Sequence, residues 1–190
     1  ACQTAGSDNP FQILFSKLAT GDQFQCQDKL FTIGDPASLK ATNSPSNPNG
    51  GSLKFEWSAI PPESFPYDND LFSLSIDFVP NLIGPRTGSF EYTIAADEVL
   101  GYTLKDVSLD SVVDYDPATV RATTVMKDVF DLDTGDLIAQ LKSVDGSPNP
   151  IPKVPLLGRS TVRVVDTWIV ASGDTLDLSL IHISEPTRPY

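Results

Sequence analysis

The chain has 190 residues, of which 13 are Lys or Arg and 25 are Asp or Glu, giving a formal net charge of −12. That length suits one domain with an ample core, and a composition 40% hydrophobic and 20% charged is that of a globular chain rather than a disordered one. The charge argues against nucleic acid and against an anionic membrane surface as partners, because no basic patch exists to release counterions from phosphates. No apolar run reaches the roughly eighteen residues of a transmembrane helix.

The chain starts at Ala1 without a visible signal peptide, as a processed, mature chain would. Cys2 and Cys26 are its two cysteines. Oxidised, they would close a loop of roughly 25 residues, worth about 3 kcal/mol. Two free thiols and a lipidated Cys2 are the alternatives. A zinc site is excluded, since there is no CxxC and no second ligand pair. Residues 10–18 predict a short N-terminal helix, with Asn9 as cap, Pro10 in the first helical position and Gly21 beyond the end.

The rest of the chain reads as strands and turns. Leu53, Phe55 and Trp57 alternate with polar residues. So do Phe72, Leu74, Ile76 and Phe78, then Phe90, Tyr92 and Ile94. Val120, Ala122, Thr124 and Met126 form a less clean face, opposed by Arg121, Thr123 and Lys127. Val162, Val164, Trp168 and Val170 line a further strand. A period of two gives each strand one buried and one wet face, as in antiparallel sheets packed on each other. Asn43 to Gly51, Pro61 to Asp70 and Gly146 to Pro155 are long loops, and Asp133-Thr-Gly-Asp136 is a tight hairpin turn. The expected fold is an all-β, two-sheet antiparallel β-sandwich, jelly-roll-like, with the short N-terminal helix.

The last segment is of a different kind. Leu178-Ser-Leu-Ile-His-Ile-Ser-Glu-Pro-Thr-Arg-Pro189 resembles a reading-frame translation of a transposase adapter used in sequencing libraries, matching in order throughout. The resemblance implies one domain over residues 1–177 and an adapter-derived tail over 178–190, with the true C-terminus missing. The single histidine, His182, lies inside that string and is set aside as a general base or metal ligand. Leu176, Leu178 and Leu180 alternate, so the expectation is an accidental closing strand. An incomplete sheet edge of that kind would favour self-association.

Three stretches carry a family likeness. They are Cys26-Gln-Asp-Lys-Leu-Phe31 after the early Cys2, the strand–hairpin–strand from Thr124 to Leu141, and Val164-Val-Asp-Thr-Trp-Ile-Val170. Together they resemble the exported bacterial proteins, cyanobacterial ones among them, that end in a PEP-CTERM sorting signal. The resemblance implies export, exosortase processing and a place outside the cytoplasm, secreted or anchored at the cell surface. It also implies partners in the extracellular matrix of biofilms, a polysaccharide or another surface protein. The family brings no agreed catalytic residues.

The candidate chemical groups are few. With His182 set aside, a nucleophilic triad lacks its base. Glu56 beside Trp57 and Glu91 beside Tyr92 pair an acid with an aromatic, but neighbours on a strand face opposite sides, so a glycosidase ranks third among the readings. Asp131, Asp133 and Asp136 supply three carboxylates within six residues, a possible calcium site, although a hairpin turn wants the same residues for backbone reasons. Tyr67, Tyr102 and Tyr115 lie in or beside loops, and a sugar-binding platform built from them is the second reading. The leading one is a non-enzymatic matrix or surface protein working by adhesion or scaffolding.

Overall fold

The computed structural model describes residues 11–26, 29–42, 50–59, 70–97, 101–118, 121–146 and 153–184. Its strands in chain order are β1 (Phe11–Leu14), β2 (Gln23–Cys26), β3 (Lys29–Ile33), β4 (Gly51–Ala59), β5 (Asp70–Ile83) and β6 (Arg86–Ala96), followed by β7 (Asp106–Asp114), β8 (Thr124–Asp131), β9 (Leu137–Val144), β10 (Lys153–Pro155), β11 (Thr161–Val170) and β12 (Thr175–Ser184). They form two sheets of six, ordered β1-β4-β5-β12-β7-β10 and β2-β3-β6-β11-β8-β9. The pairings are antiparallel.

From β5 onward the chain passes between the sheets in the order first, second, first, second, second, first, second, first. The neighbours β5-β12-β7-β10 and β6-β11-β8-β9 are then those of a jelly roll, two interlocked Greek keys. The strands β1 and β4 widen the first sheet, and β2 and β3 widen the second. The expected two-sheet sandwich is the fold observed.

Alternation builds its core. Phe72, Leu74, Ile76 and Phe78 of β5 are buried, as are Phe90, Tyr92 and Ile94 of β6 and Val162, Val164, Trp168 and Val170 of β11. Each large side chain removed from water contributes about 2 kcal/mol. Trp168 bridges the two sheets. Its ring meets Phe78 edge-on, with centroids 5.4 Å apart. On its own sheet it lies opposite Gly88, where a Cβ would come within 2.4 Å of the indole. Only glycine leaves the ring that space.

Three expectations are corrected. The segment expected to be an N-terminal helix is instead β1 followed by one 3-10 turn, Phe15–Lys17. Phe11 packs on Phe24 and Phe55, at 6.0 and 6.1 Å, and the edge of β4 supplies ladder partners. These contacts outweigh a weak local helix preference. The short helix lies later, at α1 (Ala37–Lys40).

In β8 the inward face is Val125, Lys127 and Val129, not Thr124 and Met126. A lysine can face inward here because the core holds its counter-charge.

The third correction concerns β12. It is no edge, since it lies between β5 and β7 along its length. It therefore runs through the boundary drawn at residue 177. Its register shifts between Leu176 and Leu178. That bulge puts Ser179, Ile181 and Ile183 on the buried side, where simple alternation from Leu176 would have placed Leu178 and Leu180. Ser179 enters the core with its hydroxyl lacking a hydrogen-bond partner. The ends of the two sheets among the described strands are β1, β10, β2 and β9.

Candidate functional site

Four connections cross between the sheets at one end of the sandwich: β5–β6, β7–β8, β9–β10 and β11–β12. Two buried polar residues knit them together. Thr123 donates its hydroxyl to Asp174 Oδ2 at 2.6 Å and accepts the Ala171 amide at 2.9 Å. Its own amide donates to Asp145 Oδ1 at 2.8 Å, and its carbonyl accepts the Asp145 amide at 2.8 Å. Asp174 Oδ1 accepts the Asp116 amide at 2.9 Å, and its backbone carbonyl accepts the Gly84 amide at 3.1 Å. Gly84 is required by proximity, because a Cβ there would stand 1.8 Å from the Ala171 carbonyl oxygen. Every connection is thus tied to at least one other through Thr123 or Asp174, both fully buried.

This rigid end frames a groove of about 770 Å³. Its floor is a row of three side chains directly opposite one another, Thr87 on β6, Ile169 on β11 and Thr124 on β8. Ile169 is 45% exposed, an apolar surface open to a ligand. Arg86 stands at the groove as the first residue of β6, beside Pro85 of the β5–β6 connection, with Arg121 from β7–β8 and Ser172 from β11–β12.

Arg86 and Arg121 differ from the other described arginines. Arg159 donates to Asp131 at 2.7 Å. Arg163 donates to Glu91 at 3.0 Å and covers the Phe130 ring at 4.2 Å. Arg86 and Arg121 make no ion pair or hydrogen bond among the described residues. Two free guanidinium forks beside an apolar floor rimmed with hydroxyls suit a planar anion such as a carboxylate on a sugar ring.

The residues singled out from sequence fare differently. Asp131 accepts the amides of Asp133 and Thr134 at 3.0 and 3.2 Å, and its carboxylate binds Arg159. That arginine and the turn amides hold the Asp131 carboxyl below the usual range. The carboxylate is therefore committed to the hairpin turn, and the described residues hold no group of three metal-ligating side chains. Asp131, Asp133 and Asp136 do not converge.

Tyr102 and Tyr115 precede and follow β7, a strand of nine residues spanning about 27 Å. Tyr102 packs against the core and Tyr115 is exposed. They flank opposite ends of that strand, and Tyr67 lies outside the described residues. Glu91 faces outward to Arg163 while Tyr92 is buried, so that acid and that aromatic are separated by the sheet. Cys26 is buried at the end of β2. Cys2 lies outside the described residues.

Sequence reading missed two features. The groove arginines are far apart in the chain, Arg86 opening β6 and Arg121 standing three residues before β8, and no local pattern links them. The other is a charged cluster inside the core. Lys127 Nζ donates to the Tyr92 hydroxyl at 3.1 Å and pairs with Asp166 Oδ1. Burial pushes the Lys127 ammonium below its ordinary pKa despite the nearby carboxylate, and pushes the Asp166 carboxyl above its own despite the lysine. Tyr92 is raised well above ten by burial and by the Asp166 charge. The signal was an acid at position 166 within the otherwise apolar face Val162, Val164, Trp168 and Val170.

The chain matches no protein-family model and no curated protein.

Proposed function

We propose that the protein is an exported bacterial surface or matrix component that acts by binding rather than catalysis, its groove holding acidic residues of an extracellular polysaccharide. The observation that carries the reading is the pair of arginines, unpartnered among the described residues, over the Thr87–Ile169–Thr124 floor. In a chain of net charge −12, a local cationic site open to solvent selects an anion that the remaining surface repels. Ile169 offers an apolar surface to a sugar ring, while Thr87, Thr124 and Ser172 offer hydroxyls to its polar edge. Lectin domains are among the users of the jelly-roll frame, a likeness of fold alone.

The likeness to PEP-CTERM proteins supports export. In an oxidising compartment Cys26 would pair with Cys2, closing the N-terminal segment onto β2.

Isothermal calorimetry with oligogalacturonate and with a neutral oligosaccharide of equal length tests the reading. Binding is expected for the uronate alone, weakening as salt rises. Equal affinity for the neutral oligomer, or no heat with either at millimolar ligand, would sink it.

A further inference from the structure

We propose that Lys127 and Asp166 become joined by an amide bond between Nζ and Cγ, a covalent tie between β8 and β11 within the core. The two residues are direct cross-strand partners. Both side chains are 1% exposed, and Nζ already touches Oδ1. The second carboxyl oxygen, Oδ2, is buried without a hydrogen-bond partner. A carboxylate keeping its charge in such a place would be expected to collect donors on both oxygens. One attended oxygen and one bare oxygen is instead the arrangement of a carboxyl about to lose the bare one.

The chemistry balances without an oxidant or cofactor. The neutral amine of Lys127 attacks Cγ of the neutral Asp166 acid, forming the Nζ–Cγ bond. The Cγ–Oδ2 bond breaks, and Oδ2 leaves as water. Of its two protons, one was the carboxyl's own and one came from the amine. Burial favours the neutral form of both partners, which supplies nucleophile and electrophile together. Tyr92 stays un-ionised in the same site. Its hydroxyl accepts from Nζ at 3.1 Å, which places it to receive the amine proton as the Nζ–Cγ bond forms. The surrounding core excludes the bulk water that would favour the reverse reaction. β8 and β11 are adjacent interior strands of the second sheet, so the bond would resist pulling those strands apart. It does not depend on what the groove binds.

Intact-mass spectrometry of the full chain, denatured and with cysteines reduced, tests the proposal. The expected mass is lower than the sequence mass by one water, with Lys127→Ala and Asp166→Ala each at its own sequence mass. A proteolytic digest of the unmutated chain should also yield one branched peptide containing both residues. The sequence mass for the unmutated chain would overturn the proposal. So would a water loss that persists in Asp166→Ala, as cyclisation at Asp145-Gly146 would give. Absence of the branched peptide overturns it too, whether or not the variants fold.

Discussion

The Thr123 hydroxyl and the Asp174 carboxylate meet at 2.6 Å, and through that contact the β7–β8 and β11–β12 connections hold each other. Thr123→Val keeps the side-chain shape and removes the donor. Asp174, fully buried, would then carry an under-satisfied charge, at a cost of about 2–3 kcal/mol. Urea unfolding is expected to show a lower midpoint with an unchanged slope. Because the same connections carry Arg121 and Ser172, affinity in the groove should fall as well.

The groove has a sharper test than removal of its arginines. Ile169→Asp puts a carboxylate on the floor at a position already open to solvent. Stability should change by no more than about 0.5 kcal/mol, while binding of an acidic oligosaccharide should be lost by like-charge repulsion. Arg86→Ala and Arg121→Ala are each expected to cost tenfold or more in affinity, near the 1.5–3 kcal/mol of a charged hydrogen bond. Calorimetry on the three variants, beside a thermal melt of each, reads both quantities.

Gly88→Ala should damage the fold well beyond the usual small effect of such a change. The added methyl would stand 2.4 Å from the Trp168 ring, and the ring cannot retreat because Phe78 of the other sheet lies against it. Overpacking of this kind costs about 1–3 kcal/mol. Loss of the near-ultraviolet tryptophan signal at a lower temperature than in the unmutated chain is the expected reading.

Asp131 gives the acid limb of stability a defined contributor. Its folded pKa is depressed, chiefly by the Arg159 hydrogen bond and then by the Thr134 amide. A depressed carboxyl stabilises the fold above its unfolded pKa of about 3.9 and loses that contribution as pH falls through the lower folded value. Arg159→Ala should therefore move the Asp131 titration upward, toward the ordinary range. Carbon-detected NMR of the side-chain carboxyl follows this directly. A midpoint unchanged by the substitution would show that the turn amides alone set it.

Ser179→Ala is expected to stabilise the protein. The hydroxyl is buried without a partner, and its removal relieves about 1 kcal/mol of unreturned desolvation. Urea midpoints of the two forms make the comparison.

Much of the sandwich was legible because β5, β6 and β11 alternate without interruption, and a period of two leaves little choice of face. The remainder depended on partners distant in sequence. Residues 11–14 favour a strand only because β4 offers an edge to pair with and Phe24 and Phe55 offer rings. Lys127 looked like a solvent-facing residue until Asp166 was found opposite it. The groove could not be read from any one stretch, since three connections contribute to it. The tyrosines and the aspartate turn could not be assembled into a site from sequence for a common reason. Composition places residue types in loops, but only the fold decides which loops meet.

The position of β12 has a consequence for how the chain reaches its native state. Ile83 pairs with Thr175 and Phe72 with Ile183, so the last described strand to emerge during synthesis joins two that emerged long before. Until it arrives, β5 and β7 present facing rows of unpaired amides and carbonyls, each able to recruit a strand from another molecule. The first sheet therefore cannot close progressively behind the ribosome, and its assembly must wait for its middle.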